Sequence, residues 1–114
     1  MLNAAIEKRK GVLVPGYINA HCHLELSHLK GVIPSGTGLI EFIKAVIRLR
    51  DFPQEEIDNA ISKADQEMST NGIVAVGDIS NIIDSLKKKL HSPIRYKTFV
   101  EAFDLFQLDQ CNTV

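Results

Sequence analysis

The sequence predicts an α/β fold built on parallel strands. Three short apolar runs carry that expectation: Tyr17–Cys22, Ile73–Ile79 and Ile94–Ala102. Segments with helical periodicity separate them, giving the order strand, helix, helix, strand, helix, strand. Strands that alternate with helices imply right-handed crossovers and a parallel sheet. In such sheets the working groups gather at the carboxyl ends of the strands. Here those ends carry His21, His23, Asp78 and Glu101, with Asp104 just beyond.

Residues 1–10 are polar and charged and read as a loosely held lead-in. They lack the apolar centre of a signal peptide. Pro15-Gly16 interrupts the apolar approach that follows, so the first strand is expected from Tyr17. Residues 23–38 are polar and broken by Gly31, Pro34, Gly36 and Gly38, which predicts a long loop, a type of segment that often carries function. Leu39–Arg50 has apolar residues at 39, 42, 43, 46, 47 and 49, the pattern of a helix with a broad apolar face. Pro53 suits the first turn of the next helix, and Glu55 and Glu56 suit its positive end. Ile57, Ala60, Ile61, Ala64 and Met68 mark its buried stripe, and Asn71-Gly72 its stop. The run Ile73–Ile79 reads as a strand buried on both faces. Ser80 or Asn81 can cap a helix to His91 with Ile82, Ile83, Leu86 and Leu90 inside. Lys87, Lys88 and Lys89 then form a solvated helix end, where the dipole favours cations, and Pro93 terminates the helix.

Composition bounds the function. The 114 residues are 45% hydrophobic and 24% charged, the balance of one globular domain. Thirteen basic against 14 acidic residues leave a net charge of -1, which gives no electrostatic case for nucleic acid or an anionic membrane. No apolar run approaches the roughly 18 to 20 residues that span a bilayer. Cys22 and Cys111 show no CxxC pairing, which points to reduced thiols and a cytoplasmic setting.

The chemistry concentrates at the first strand end. His21 and His23 are two apart, so in an extended strand they share a face. Two such imidazoles can hold one metal at about 2.0 to 2.1 Å each. Imidazole suits zinc, iron, nickel or copper better than magnesium or calcium. Cys22, between them, must face the other way and reads as a small buried residue. The competing reading of an isolated HxH is a structural pair. A catalytic zinc takes at least three protein ligands; the other candidates are His28, His91, Glu25, Asp78 and Glu101. His91 falls at a helix C-terminus, on the opposite edge of the sheet, and is discounted.

PGYINAHCHLE, Pro15–Glu25, resembles the first-strand signature of the amidohydrolase superfamily. LELSHLKG and NGIVAVGDIS resemble its deaminase and chlorohydrolase branch, in particular aminodeoxyfutalosine deaminase-like and cytosine deaminase-like enzymes. The resemblance extends over about residues 11 to 105. It implies a metal-dependent (β/α)8 barrel that hydrolyses C–N and related bonds of a small-molecule substrate with metal-activated water. By match, His21 and His23 are first-strand ligands of a divalent metal, zinc or alternatively iron. Glu25, His28, Asp78 and Glu101 stand where substrate contacts are expected; the competing readings are solvated carboxylates for Glu25 and Glu101, a hydrogen-bonded loop histidine for His28 and a helix cap for Asp78.

The departure from the family pattern is one of length. A barrel of this type needs about 200 to 250 residues. This chain supplies about the first three β/α units, and residues 1–14 read as a remnant of, or link to, a flanking β-sandwich. The later histidines, the proton-handling glutamate and the strand-eight aspartate have no counterpart. The expectation is a fragment of a metal-dependent aminohydrolase, inactive in isolation, that associates with itself through its open sheet edge. The alternative is a noncatalytic α/β module that binds a metal or a partner.

Two remaining features read blandly. Ser35–Gly38 lacks the third glycine and the Lys-Ser/Thr of a phosphate loop. Tyr96, Phe99, Phe103 and Phe106 read as core or as the uncovered sheet face.

Overall fold

A computed structural model describes residues 6–102. Asp104, Phe103, Phe106 and Cys111 lie outside the described residues. Residues 6–16 adopt no helix or strand. Three strands follow, β1 (Tyr17–Cys22), β2 (Ile73–Ser80) and β3 (Arg95–Val100). They form one parallel sheet in the order β1-β2-β3. The α/β class and the parallel sheet therefore follow the expectation from alternating periodicity.

Helix α1 spans Leu39–Leu49, α2 Gln54–Thr70 and α3 Leu86–Leu90. Between β1 and α1 lies a 3-10 helix, Leu24–Leu29. This corrects the expectation of a continuous loop over residues 23–38. Leu24 and Leu29 are buried there, and Leu24 joins Ile57 and Ile61 of α2 in the core, with Cys22, Phe52, Ala64, Met68 and Tyr96 packed around them. The apolar anchors outweigh the polar composition of the segment.

The crossover from α2 to β2 is tight. Gly72 follows the helix with φ 82°, a left-handed conformation natural to glycine, and its carbonyl accepts the Tyr17 amide at 2.9 Å. Gly77 lets β1 and β2 approach. A Cβ there would stand 2.7 Å from the Ala20 carbonyl oxygen.

One face of the sheet is covered. Val76, Asp78 and Ser80 of β2 are buried beneath the helices. Ile18, Ala75, Ile79 and Phe99 fall on the other face by register and alternation, where Ile18 is 72% and Phe99 53% exposed. β2 is thus not buried on both faces. Helix α1 has no buried residue, and its apolar side, including Leu39, Phe42 and Ile43, is exposed.

The third helix is shorter than its periodicity predicts. Ser80 and Asn81 do not cap it, and Ile83, Leu86 and Leu90 are exposed rather than inside. The cause is Glu25. Its Oε2 accepts from the Asn81 and Ile82 amides at 3.0 and 3.1 Å and from the Ser80 hydroxyl at 2.7 Å. Residues that would open a helix are held in a turn instead. The lysine run is a solvated end only at Lys87, which is exposed. Lys88 Nζ lies 3.3 Å from buried Asp65, and Lys89, 6% exposed, is paired with buried Asp78.

Among the described residues no helix is long and apolar enough to cross a membrane.

Candidate functional site

His21 and His23 meet at the carboxyl end of β1. Their ring centroids are 5.2 Å apart and their planes are inclined by 60°. The route to that meeting is less regular than simple alternation. Between Asn19 and Cys22, β1 takes three steps while β2 takes two, from Val76 to Asp78. A bulge of this kind turns side chains at a strand end. The His21 amide donates to Asn19 Oδ1 at 3.3 Å across it. His23 lies past the strand, at φ −122° and ψ 78°, as the residue preceding the 3-10 helix.

The separation can be tested against metal geometry. With a zinc–nitrogen bond of about 2.1 Å and about 1.1 Å from nitrogen to ring centre, tetrahedral ligation places two imidazole centroids about 5.2 Å apart. The observed pair has that spacing. It supplies two donors; among the described residues no group of three His, Cys, Asp or Glu side chains is placed to hold a metal.

Cys22 is on the covered face, against Leu24, Ile57 and Ile61. Burial pushes its thiol up to about 11, with the Asp78 charge adding to the effect and Lys89 opposing it. It remains a thiol at neutral pH.

The four residues expected at the substrate divide between the interior and the surface. Asp78 is fully buried: Oδ1 accepts the Leu24 amide at 2.8 Å, and the other oxygen pairs with Lys89. Because Leu24 follows His23, Asp78 fixes the peptide that leaves the histidine pair. It accepts the first amide of the 3-10 helix and does not cap α3, the helix that follows its own strand. Glu25 is fully buried as well and ties the 3-10 helix to the turn after β2, so it is not a solvated loop carboxylate. His28 Nε2 lies 3.2 Å from the Arg50 carbonyl, and its ring packs on Phe52 at 5.1 Å between centroids. Glu101 is exposed just past β3, and its amide donates to the Ser80 carbonyl at 3.0 Å. His91 caps α3 at its C-terminal end, with Nδ1 2.9 Å from the Lys87 carbonyl.

A third buried carboxylate, Asp65, was not among the candidates. Asp65 Oδ1 accepts from Ser92 at 2.5 Å and from Tyr96 at 2.7 Å. Burial, and then the hydrogen bond to Asp65, raise the Tyr96 hydroxyl well above its usual range. The signal was available: Asp65 continues the four-residue spacing of Ile57 and Ile61 on the buried side of α2.

No family model matches the chain, and no curated protein or solved structure gives a significant match.

Proposed function

We propose that this chain is the metal-binding N-terminal part of a metal-dependent amidohydrolase, its sheet being the first three strands of a (β/α)8 barrel. The observation that carries the reading is the 5.2 Å separation of the His21 and His23 rings at the carboxyl end of β1. The parallel order β1-β2-β3 and the resemblance of Pro15–Glu25 to a first-strand signature support it.

His21 and His23 would hold a divalent metal, zinc or iron, through neutral ring nitrogens. The chemistry such an ion would supply there is a water of lowered pKa, suited to hydrolysis of an aminated ring carbon with release of ammonia. The chain's own contribution is positional. Asp78 orients the peptide after His23 through the Leu24 amide, and Glu25 anchors the 3-10 helix that continues from it. Two donors make a weak site. Further ligands and the proton-handling groups would come from other chain, so the isolated protein should show no turnover.

The open face and the edges of β1 and β3 favour self-association, and a reducing cytoplasmic setting suits the half-buried Cys22 thiol. A discrete monomer in light scattering at tens of micromolar would contradict the first of these. A second reading, a noncatalytic metal- or partner-binding module, draws on the exposed apolar side of α1.

Equilibrium dialysis in the continued presence of free zinc, with elemental analysis of both compartments, tests the proposal, because a two-donor site is occupied only while free metal is present. Excess zinc on the protein side for the wild type, reduced in both His21→Ala and His23→Ala, is the expected result. Equal zinc uptake by the wild type and the two variants would overturn it. Metal-dependent ammonia release by the isolated chain, lost in His21→Ala, would overturn the expectation of inactivity.

A further inference from the structure

Cys22, Asp78 and Thr98 lie side by side across β1, β2 and β3, near the carboxyl ends of the strands. Cys22 is the residue between the two histidines. One cation is set against this row from the covered face. Lys89 Nζ pairs with the Asp78 carboxylate and donates to Thr98 Oγ1 at 3.2 Å, and it lies 5.9 Å from the centre of the Tyr96 ring.

Lys89 belongs to α3, whose apolar residues Leu86 and Leu90 are exposed. The helix turns its lysines to the sheet instead: Lys88 to Asp65 and Lys89 to Asp78. A buried ion pair is a poor source of net stability, since apolar groups of similar volume do as well. What this pair supplies is direction. With one Asp78 oxygen engaged by Lys89, the other is presented to the Leu24 amide at 2.8 Å. That amide belongs to the peptide between His23 and Leu24. His21 is held by a different group, its own amide donating to Asn19 Oδ1 at 3.3 Å. The two histidines are therefore fixed independently, and the hold on His23 runs through Asp78 to α3.

We propose that Lys89 is a positioning residue of the histidine pair: bridged between Thr98 and Asp78, it orients the carboxylate that holds the Leu24 amide and so keeps His23 at its ligating separation from His21. The inference rests on the metal-binding reading above, but its first readout needs no metal.

That readout is hydrogen exchange of the Leu24 amide in the labelled full chain without metal, together with the nuclear Overhauser contact between the His21 and His23 rings. The Tyr17 amide, bonded to the Gly72 carbonyl, is the control for general loosening. Lys89→Met should speed Leu24 exchange about tenfold or more beyond any change at Tyr17, weaken the ring contact, and weaken zinc in an imidazole titration about tenfold. Because Lys89 acts through the Asp78 charge, removing that charge cancels its effect. Asp78→Asn with Lys89→Met keeps a neutral acceptor and should regain both Leu24 protection and zinc affinity. Asp78→Leu with Lys89→Met has no acceptor and should regain neither. Should Lys89→Met fail to fold, these two double variants, which leave no lone buried charge, decide. Leu24 exchange that rises only in step with Tyr17, an unchanged ring contact in Lys89→Met, or equal Leu24 protection in the two double variants would overturn the proposal. Absence of zinc binding by the wild type would defeat the metal reading alone; the Leu24 and ring-contact results would still decide the role of Lys89.

Discussion

Replacing Asp78 by Asn removes the charge against which Lys89 is buried while leaving an oxygen for the Leu24 amide. Lys89 is 6% exposed and Asp78 not at all, so solvent cannot take over the partner's role. Breaking a buried pair by neutralising one member costs about 3 to 5 kcal/mol. Some of that is recovered here. Lys89 keeps the Thr98 hydroxyl at 3.2 Å and lies 5.9 Å from the centre of the Tyr96 ring. The expected loss for Asp78→Asn is therefore near the lower bound, about 3 kcal/mol. Against a usual total of about 5 to 15 kcal/mol, that is a large fraction of the whole. Removing both charges, as in Asp78→Asn with Lys89→Met, should restore stability to within about 1 kcal/mol of the wild type. Urea unfolding followed by far-ultraviolet circular dichroism measures both, since the chain has no tryptophan. A single-variant loss under about 1 kcal/mol, or a double variant as unstable as the single, would refute the argument that this pair is a buried strut under the histidines.

Two further predictions concern the sheet. Gly77→Ala places a methyl group 2.7 Å from the Ala20 carbonyl, where backbone must move; a loss of about 1 to 3 kcal/mol in urea unfolding is expected, and a neutral result would contradict the close approach of β1 and β2. Cys22 titrates near 11 folded against its ordinary 9.0. The folded state then holds a proton that the unfolded chain releases, so its contribution to stability is complete below pH 9 and is lost as pH rises through 11. Unfolding measured across that window should show a fall that Cys22→Ser reduces, and an unchanged fall in that variant would sink the assignment.

Much of the architecture was legible because it is written locally. The apolar runs at β1, β2 and β3 and the stripe Ile57, Ile61 and Met68 need no distant partner to be read. The histidine pair was legible for the same reason, although the bulge between Asn19 and Cys22 was not: a two-residue period assumes a regular strand. What escaped depends on contacts across the fold. Glu25 reaches the amides of Asn81 and Ile82 and shortens α3 from more than fifty positions away. Asp78 and Asp65 draw Lys89 and Lys88 inward, whereas a lysine run taken alone reads as solvated. Leu24, Leu26 and Leu29, with Glu25 and His28 three apart, did carry a helical signal; the glycines and proline that follow masked it. The apolar side of α1 was read correctly as apolar, yet nothing among the described residues buries it.

The central claim is that His21 and His23 take hold of one ion together. Imidazole resonances of the labelled chain, followed through a zinc titration at neutral pH, address it directly. The His21 and His23 signals should move in concert with a single saturation curve while His28 and His91 stay in place. Movement of one ring of the pair without the other, or of neither, would contradict it.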